Sequence, residues 1–196
     1  MKLYCATTNQ GKLREFRLAV ERFGQQRFMI EAVSGLRHLA PPAEDADTFE
    51  ENAVTKALYY SGHAAGPVFA DDSGLAVDAL GGAPGVLSAR YAGEGASDRE
   101  NNRLLLERMR DITDRAARFV CVVALAEQGK LIGTFRGTVE GELLDRPRGE
   151  NGFGYDPLFY HPPFGCTLAE VSAERKLAVS HRGKAVAAML EYLAKR

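Results

Sequence analysis

The sequence predicts an α/β fold, a mixed and twisted sheet with flanking helices, and three observations predict it. Short strand-like apolar runs, residues 3–6 and 28–33, alternate with a run of helical period at residues 10–23. Residues 119–126 are apolar at every position, as a central strand covered on both faces must be. Glu127-Gln128-Gly129-Lys130 then reads as a hairpin turn, and the return strand from Leu131 alternates. Phe135, Val139 and Leu143 fall on one side of it, and Thr134, Arg136, Thr138 and Glu140 on the other. At least one antiparallel pair therefore joins the sheet.

A chain of 196 residues with 45% hydrophobic content buries one good core, so a single domain over residues 1–196 is expected. The formal net charge of -1 argues against general nucleic-acid binding through phosphates. Charge is uneven, however: residues 44–51 are acidic, and residues 170–196 carry six Lys and Arg against three Glu. Cys5, Cys121 and Cys166 form no CxxC pair and, with four scattered histidines, no zinc spacing. No apolar run approaches membrane-spanning length and Met1-Lys2 leads straight into a strand, so a cytoplasmic chain with no membrane partner is expected.

Between the first strand and the first helix lies Thr7-Thr8-Asn9-Gln10-Gly11-Lys12. Such a turn points backbone N–H groups and a positive helix end at any anion placed there, and Lys12 adds a point charge. An ordinary N-cap by Thr8 or Asn9 explains part of it and leaves Gly11-Lys12 over. It is not a Walker A loop, because Ala6 stands where the first Gly belongs and Leu13 follows the lysine. A loop with Pro41-Pro42, Glu44, Asp45 and Asp47 leads into a helix over residues 48–64. There Thr48 and Glu51 have capping-box spacing, and Asn52 and Lys56 share one face that points either to solvent or to a site.

Residues 68–91 hold the most unusual chemistry. A short apolar strand, Val68-Phe69-Ala70, is expected to end at two carboxylates, Asp71 and Asp72, before Ser73-Gly74, a third acid Asp78 and a Gly/Pro-rich loop. Adjacent acids at a buried strand tip repel each other and resist desolvation; a divalent cation or a proton-transfer role gives a reason to keep them. Asp-Asp-Ser-Gly is also good turn chemistry. Neighbours on an extended chain face opposite ways, so only one of the two acids meets a given ligand. Ser97 and Glu100 form a second capping box, for a helix reaching residue 110.

Residues 149–157, GENGFGYDP, combine flexible glycines with Phe153, Gly154, Tyr155 and Asp156. An aromatic there can stack on a planar base and a carboxylate can accept from ring N–H groups, or the aromatics can belong to the core. Lys176 precedes Ser180-His181-Arg182-Gly183-Lys184, where Ser180 caps a C-terminal helix. His181 and Arg182 in its first turn are unfavourable for the helix by about 0.3–1 kcal/mol each, a cost an anionic ligand offsets. Anion donors from three segments, acids on a strand and an aromatic pocket together suit a nucleoside triphosphate with magnesium.

In this order, TTNQGK, TFEENA, ADDSGLAVDALGGAPGVLSARY, GFGYDP and SHRGKA resemble the inosine triphosphate pyrophosphatase family over nearly the whole chain. The resemblance implies a mixed α/β fold of two lobes with the active site in the cleft between them, a homodimer, and dependence on Mg2+. It implies that Thr7, Thr8, Asn9, Gln10, Gly11 and Lys12 hold the triphosphate, with Lys56 beside them. Asp72 is then the catalytic acceptor and a metal ligand, Glu44 the second metal-associated acid, and Ser73 a substrate contact. Phe153, Gly154, Tyr155, Asp156, Lys176, His181 and Arg182 bind base and phosphates. The implied reaction is hydrolysis of ITP, dITP and XTP between the α- and β-phosphates, giving the monophosphate and pyrophosphate and clearing deaminated purines from the nucleotide pool. A nucleotide sensor without chemistry and a pyrophosphatase for pyrimidine or methylated nucleotides are the rivals. Retention of Asp72 and Lys12 speaks against the first, and the GFGYDP and SHRG blocks against the second. Asp71 is expected to serve structure.

Overall fold

The computed structural model describes residues 1–196. In chain order the elements are β1 (Lys2–Cys5), α1 (Gln10–Phe23), β2 (Met29–Ala32), α2 (Phe49–Ser61), β3 (Val68–Val77), α3 (Asp98–Arg108), β4 (Ala116–Glu127), β5 (Lys130–Leu143), β6 (Phe159–His161), β7 (Cys166–Thr167), α4 (Ala173–Leu177) and α5 (His181–Ala194). One seven-stranded sheet has the order β2-β1-β3-β4-β5-β6-β7. β1 runs parallel to β2 and to β3, while β5–β6 and β6–β7 are antiparallel, so the sheet is mixed as expected. Gln128 and Gly129 join β4 to β5 with φ of 50° and 75°, the paired left-handed turn that follows strand twist.

The chain divides into two compact units: residues 1–72, 121–137 and 180–196 form the first, and residues 73–120 and 138–179 the second. In the first unit β3 has two differently covered faces. Val68 and Ala70 pack with Ala53 and Ala57 of α2 and with Val122, Ala124 and Ala126 of β4. Phe69, one residue out of phase, meets Phe16 of α1 edge-on, with ring centroids 5.3 Å apart. The period-2 alternation of the strand thus hands successive side chains to α2 and α1 in turn.

The second unit is built on a separate core of Leu75, Val77, Leu105, Met109, Phe119, Val139, Leu143, Leu158, Phe159 and Leu168. Tyr155 belongs to it, and its hydroxyl donates to the Ser88 carbonyl at 2.8 Å. Ser88 ties the loop after β3 to the strand, accepting from the Leu75 amide at 2.9 Å and donating to the Gly85 carbonyl at 2.6 Å. Only glycine fits at position 74: a Cβ there would sit 2.2 Å from the Ser88 hydroxyl and 2.5 Å from the Gly85 carbonyl. Arg118 grips Asp78 with both terminal nitrogens, at 2.6 and 3.0 Å, and Glu140 with its Nε, which accounts for the third acid of the central stretch.

One expectation is corrected. β3 does not end at Asp71 but runs through Asp72, Ser73 and Gly74 to Val77, so the acids stand mid-strand and not in a turn. Each acid has its own counter-charge on its own face, which removes the reason for the strand to stop. Helices start where their caps predict: Asn9 (not Thr8), Thr48, Ser97 and Ser180 each accept from an amide three residues on.

Candidate active site

Asp71 and Asp72 are both buried, at 3% and 7% exposure, and alternation sends them to opposite sides of β3. Asp71 follows Phe69 toward α1 and pairs with Lys12 Nζ at 2.9 Å. Burial alone would push its carboxyl up, but Lys12, Arg182 and Lys56 together outweigh that and hold it below the usual carboxylate range. Asp72 follows Ala70 toward α2, accepting from Asn52 Nδ2 at 3.0 Å and lying 3.8 Å from Lys56 Nζ. Here burial wins over the pull of Lys56, Lys12 and Asn52 and raises the carboxyl above its ordinary value. Two adjacent carboxylates are thereby pushed apart in proton affinity, the pattern that separates a structural acid from a proton acceptor.

The α2 face resolves the question of Asn52 and Lys56, since both are buried against β3. Lys56 Nζ donates to Glu44 Oε2 at 2.7 Å. Asn52 also clamps the loop that carries Glu44: its Oδ1 accepts from the Ala46 amide at 3.1 Å and its Nδ2 donates to the Ala46 carbonyl at 3.3 Å. Glu44 and Asp72 thus share one lysine, while one asparagine ties Asp72 to the loop that carries Glu44. No group of three His, Cys, Asp or Glu suited to a metal is present. The pair still fits a divalent cation, because a positive group already sits within reach of both acids. Mg2+ is held by one or two carboxylates and completes its shell with water and phosphate oxygens.

On the α1 face, Asn9 Oδ1 caps the helix by accepting from the Lys12 amide at 3.0 Å, and Thr7 Oγ1 accepts from the Asn9 amide at 3.3 Å. Thr8, Asn9 and Gln10 are exposed and Gly11 is half-buried, leaving the first turn open to an anion. Arg182, 5% exposed in the first turn of α5, donates through Nη1 to Glu15 Oε2 at 2.7 Å. Burial works against the guanidinium charge, but Glu15 and Asp71 more than restore it, so it is held firmly cationic. His181 beside it is 1% exposed.

The second unit holds the aromatic loop. Asp156, 1% exposed, accepts from the Phe153 amide at 3.0 Å and is paired with Lys176, itself 4% exposed. The Lys176 ammonium also stands 5.1 Å from the centroid of the half-buried Phe153 ring. Gly154 is fixed from α3, its amide donating to Asp98 Oδ2 at 2.6 Å and its carbonyl accepting from Asn102 at 2.8 Å. Gly152 has φ +76°, and a Cβ there would fall 2.1 Å from Asp156 Oδ2. Of the two aromatics, Tyr155 is a core residue and Phe153 is half-buried. Ser73, next after Asp72 on β3, is half-buried.

The family model described as the Ham1 family matches residues 3–192. The chain belongs to the Ham1 family. It is 46% identical over 202 residues to a dITP/XTP pyrophosphatase of Acidobacterium capsulatum, with 98% of each chain covered. To a dITP/XTP pyrophosphatase of Thermus thermophilus it is 49% identical over 193 residues, covering 97% of this chain and 91% of the relative. The solved structure of the Staphylococcus aureus Ham1 protein superposes with a TM-score of 0.87 at 40% identity, covering 100% of this chain and 99% of that one.

In this Ham1 chain, the sequence puts Asn52 on one helix face with Lys56 but leaves open where that face points, and it gives no sign of Glu15. Asn52 was reachable from its spacing to Lys56. Glu15 was not, because its partner Arg182 lies 167 residues away and no local pattern announces the pair.

Proposed function

We propose that this chain hydrolyses ITP, dITP and XTP to the nucleoside monophosphate and pyrophosphate, with Mg2+ as cofactor. The observation that carries the proposal is the separation of Asp71 from Asp72. One is neutralised by Lys12, and the other is a carboxylate of raised proton affinity beside Glu44 and Lys56. The names of the relatives point to the same chemistry.

Asp72, buried on the α2 side of β3 beside Asn52 and Lys56, takes the proton of the water that attacks the α-phosphorus in line. Asp72 and Glu44 are the residues that would hold Mg2+, which would supply charge neutralisation at the phosphates. Lys12 and the amides of Thr8, Gln10 and Gly11 at the α1 N-terminus stabilise the departing pyrophosphate. Lys56 adds a second cation to the phosphates. Phe153 stacks on the purine, while Asp156, Lys176, His181 and Arg182 orient base and phosphates, with Ser73 as a further contact.

Arg182 is a pure donor held in place by Glu15. Directed at a 6-oxo group it gains a hydrogen bond, whereas the 6-amino group of adenine would leave it facing another donor, a mismatch that discriminates strongly. A homodimer belongs to the same proposal.

Incubation with ITP, XTP, GTP, ATP and dUTP in the presence of Mg2+, assaying pyrophosphate separately from orthophosphate, tests this reading. Pyrophosphate as first product, with ITP and XTP far ahead of ATP, is expected. Orthophosphate as first product would sink the cleavage position, and equal rates on ATP and ITP the specificity.

A further inference from the structure

Lys56 stands where a divalent cation belongs. Its ammonium lies 2.7 Å from Glu44 Oε2 and 3.8 Å from Asp72 Oδ1, and the side chain is 10% exposed. Asn52 fixes both walls of this arrangement, through the Ala46 backbone on one side and Asp72 Oδ2 on the other. A buried carboxylate and its half-buried neighbour need a positive charge to be held close, and breaking such a pair is costly. Lys56 is the positive charge this chain provides.

We propose that Lys56 is a resident stand-in for the metal. It holds Glu44 and Asp72 around one positive charge until a divalent ion arrives, then yields the carboxylate oxygens and turns to the phosphates of the incoming nucleotide. This rests on the reading of Glu44 and Asp72 as the metal-associated acids. The consequence is a coupling of sites. Without nucleotide, Lys56 and the ion compete for the same oxygens, so the bare metal binds weakly. With nucleotide, the phosphates offer Lys56 new partners and the competition disappears, so metal and triphosphate each tighten the other. A lysine that served only the fold would stabilise the chain without influencing metal affinity.

The test measures metal binding to the protein without substrate turnover. Mg2+ is titrated calorimetrically and Mn2+ is followed by its free-ion spin-resonance signal, in the parent chain, in Lys56→Met and in Lys56→Met combined with Glu44→Gln. Removing a cation that sits among the metal's own carboxylates is expected to tighten metal binding about tenfold or more. Lys56→Met is also expected to melt lower than the parent without metal and to regain the difference when Mg2+ is added. An α,β-methylene analogue of ITP should tighten metal binding to the parent more than to Lys56→Met. Equal or weaker metal binding by Lys56→Met overturns the stand-in role. Metal binding by Lys56→Met that survives Glu44→Gln unchanged overturns the assignment of the acid pair beneath it.

Discussion

Asn52 donates to Asp72 Oδ2 at 3.0 Å while the same side chain clamps the backbone of Ala46. One amide therefore sets the distance between the proposed proton acceptor on β3 and the loop that delivers Glu44. Asn52→Ala is expected to lower kcat/KM for ITP by about tenfold or more, since small misplacements of a catalytic group are expensive. It should also cost about 1–3 kcal/mol in urea unfolding, the penalty of a buried polar group losing its partner. Wild-type kinetics at this position would refute the positioning role.

The two aspartates should respond oppositely to charge removal. The folded-state carboxyl of Asp71 is lowered, so its contribution to stability is present in full above the unfolded value of about 3.9 and is lost as pH falls through the lower folded one. Asp72 is raised, so it costs stability once pH climbs above that unfolded value, and the cost is complete above the folded one. Without divalent ions at neutral pH, Asp71→Asn should unfold about 3 kcal/mol more easily, because Lys12 loses its partner. Asp72→Asn should melt higher than the parent while losing turnover. Urea titrations from acid to neutral pH with metal-free protein check both signs.

Glu15 holds Arg182 Nη1 at 2.7 Å. Glu15→Gln keeps shape and removes charge, so it loosens the guanidinium without emptying the site. The ratio of kcat/KM for ITP over ATP is expected to fall about tenfold, the value of one misdirected hydrogen bond. A fall in stability with an unchanged ratio would confine Glu15 to the fold.

Tyr155→Phe separates core from site in the aromatic loop. The lost hydroxyl leaves the Ser88 carbonyl without its donor, which should cost about 1 kcal/mol. That corresponds to about 2–4 °C in Tm for a chain of this length. KM for ITP should hardly move. A large rise in KM would instead place the hydroxyl on the nucleotide.

Sequence periodicity located α1 on the residues it occupies and β4 within a few residues, because amphipathic and fully apolar runs are local signals. It misjudged β3, since Asp-Asp-Ser-Gly has turn composition. What keeps that segment extended is non-local: Lys12 on one face, Asn52 and Lys56 on the other. The same limit hid Glu15 and left the facing of Asn52 open. Residue types and spacing announced which chemistry was available, while the pairing of buried charges, which fixes each role, depends on contacts that no window of sequence contains.

The handing of successive β3 side chains to α2 and α1 makes this strand intolerant of changes in length. Deleting one residue between Val68 and Ala70 would move Asp72 into the place of Asp71, opposite Lys12, and bring Ser73 into the place of Asp72. Composition and hydrophobicity would scarcely change, yet the acceptor would be locked by Lys12 and a serine would stand where Asp72 met Lys56. Among descendants of this chain, single-residue insertions or deletions ahead of the aspartates are expected to be lost, because each moves both acids to the wrong face.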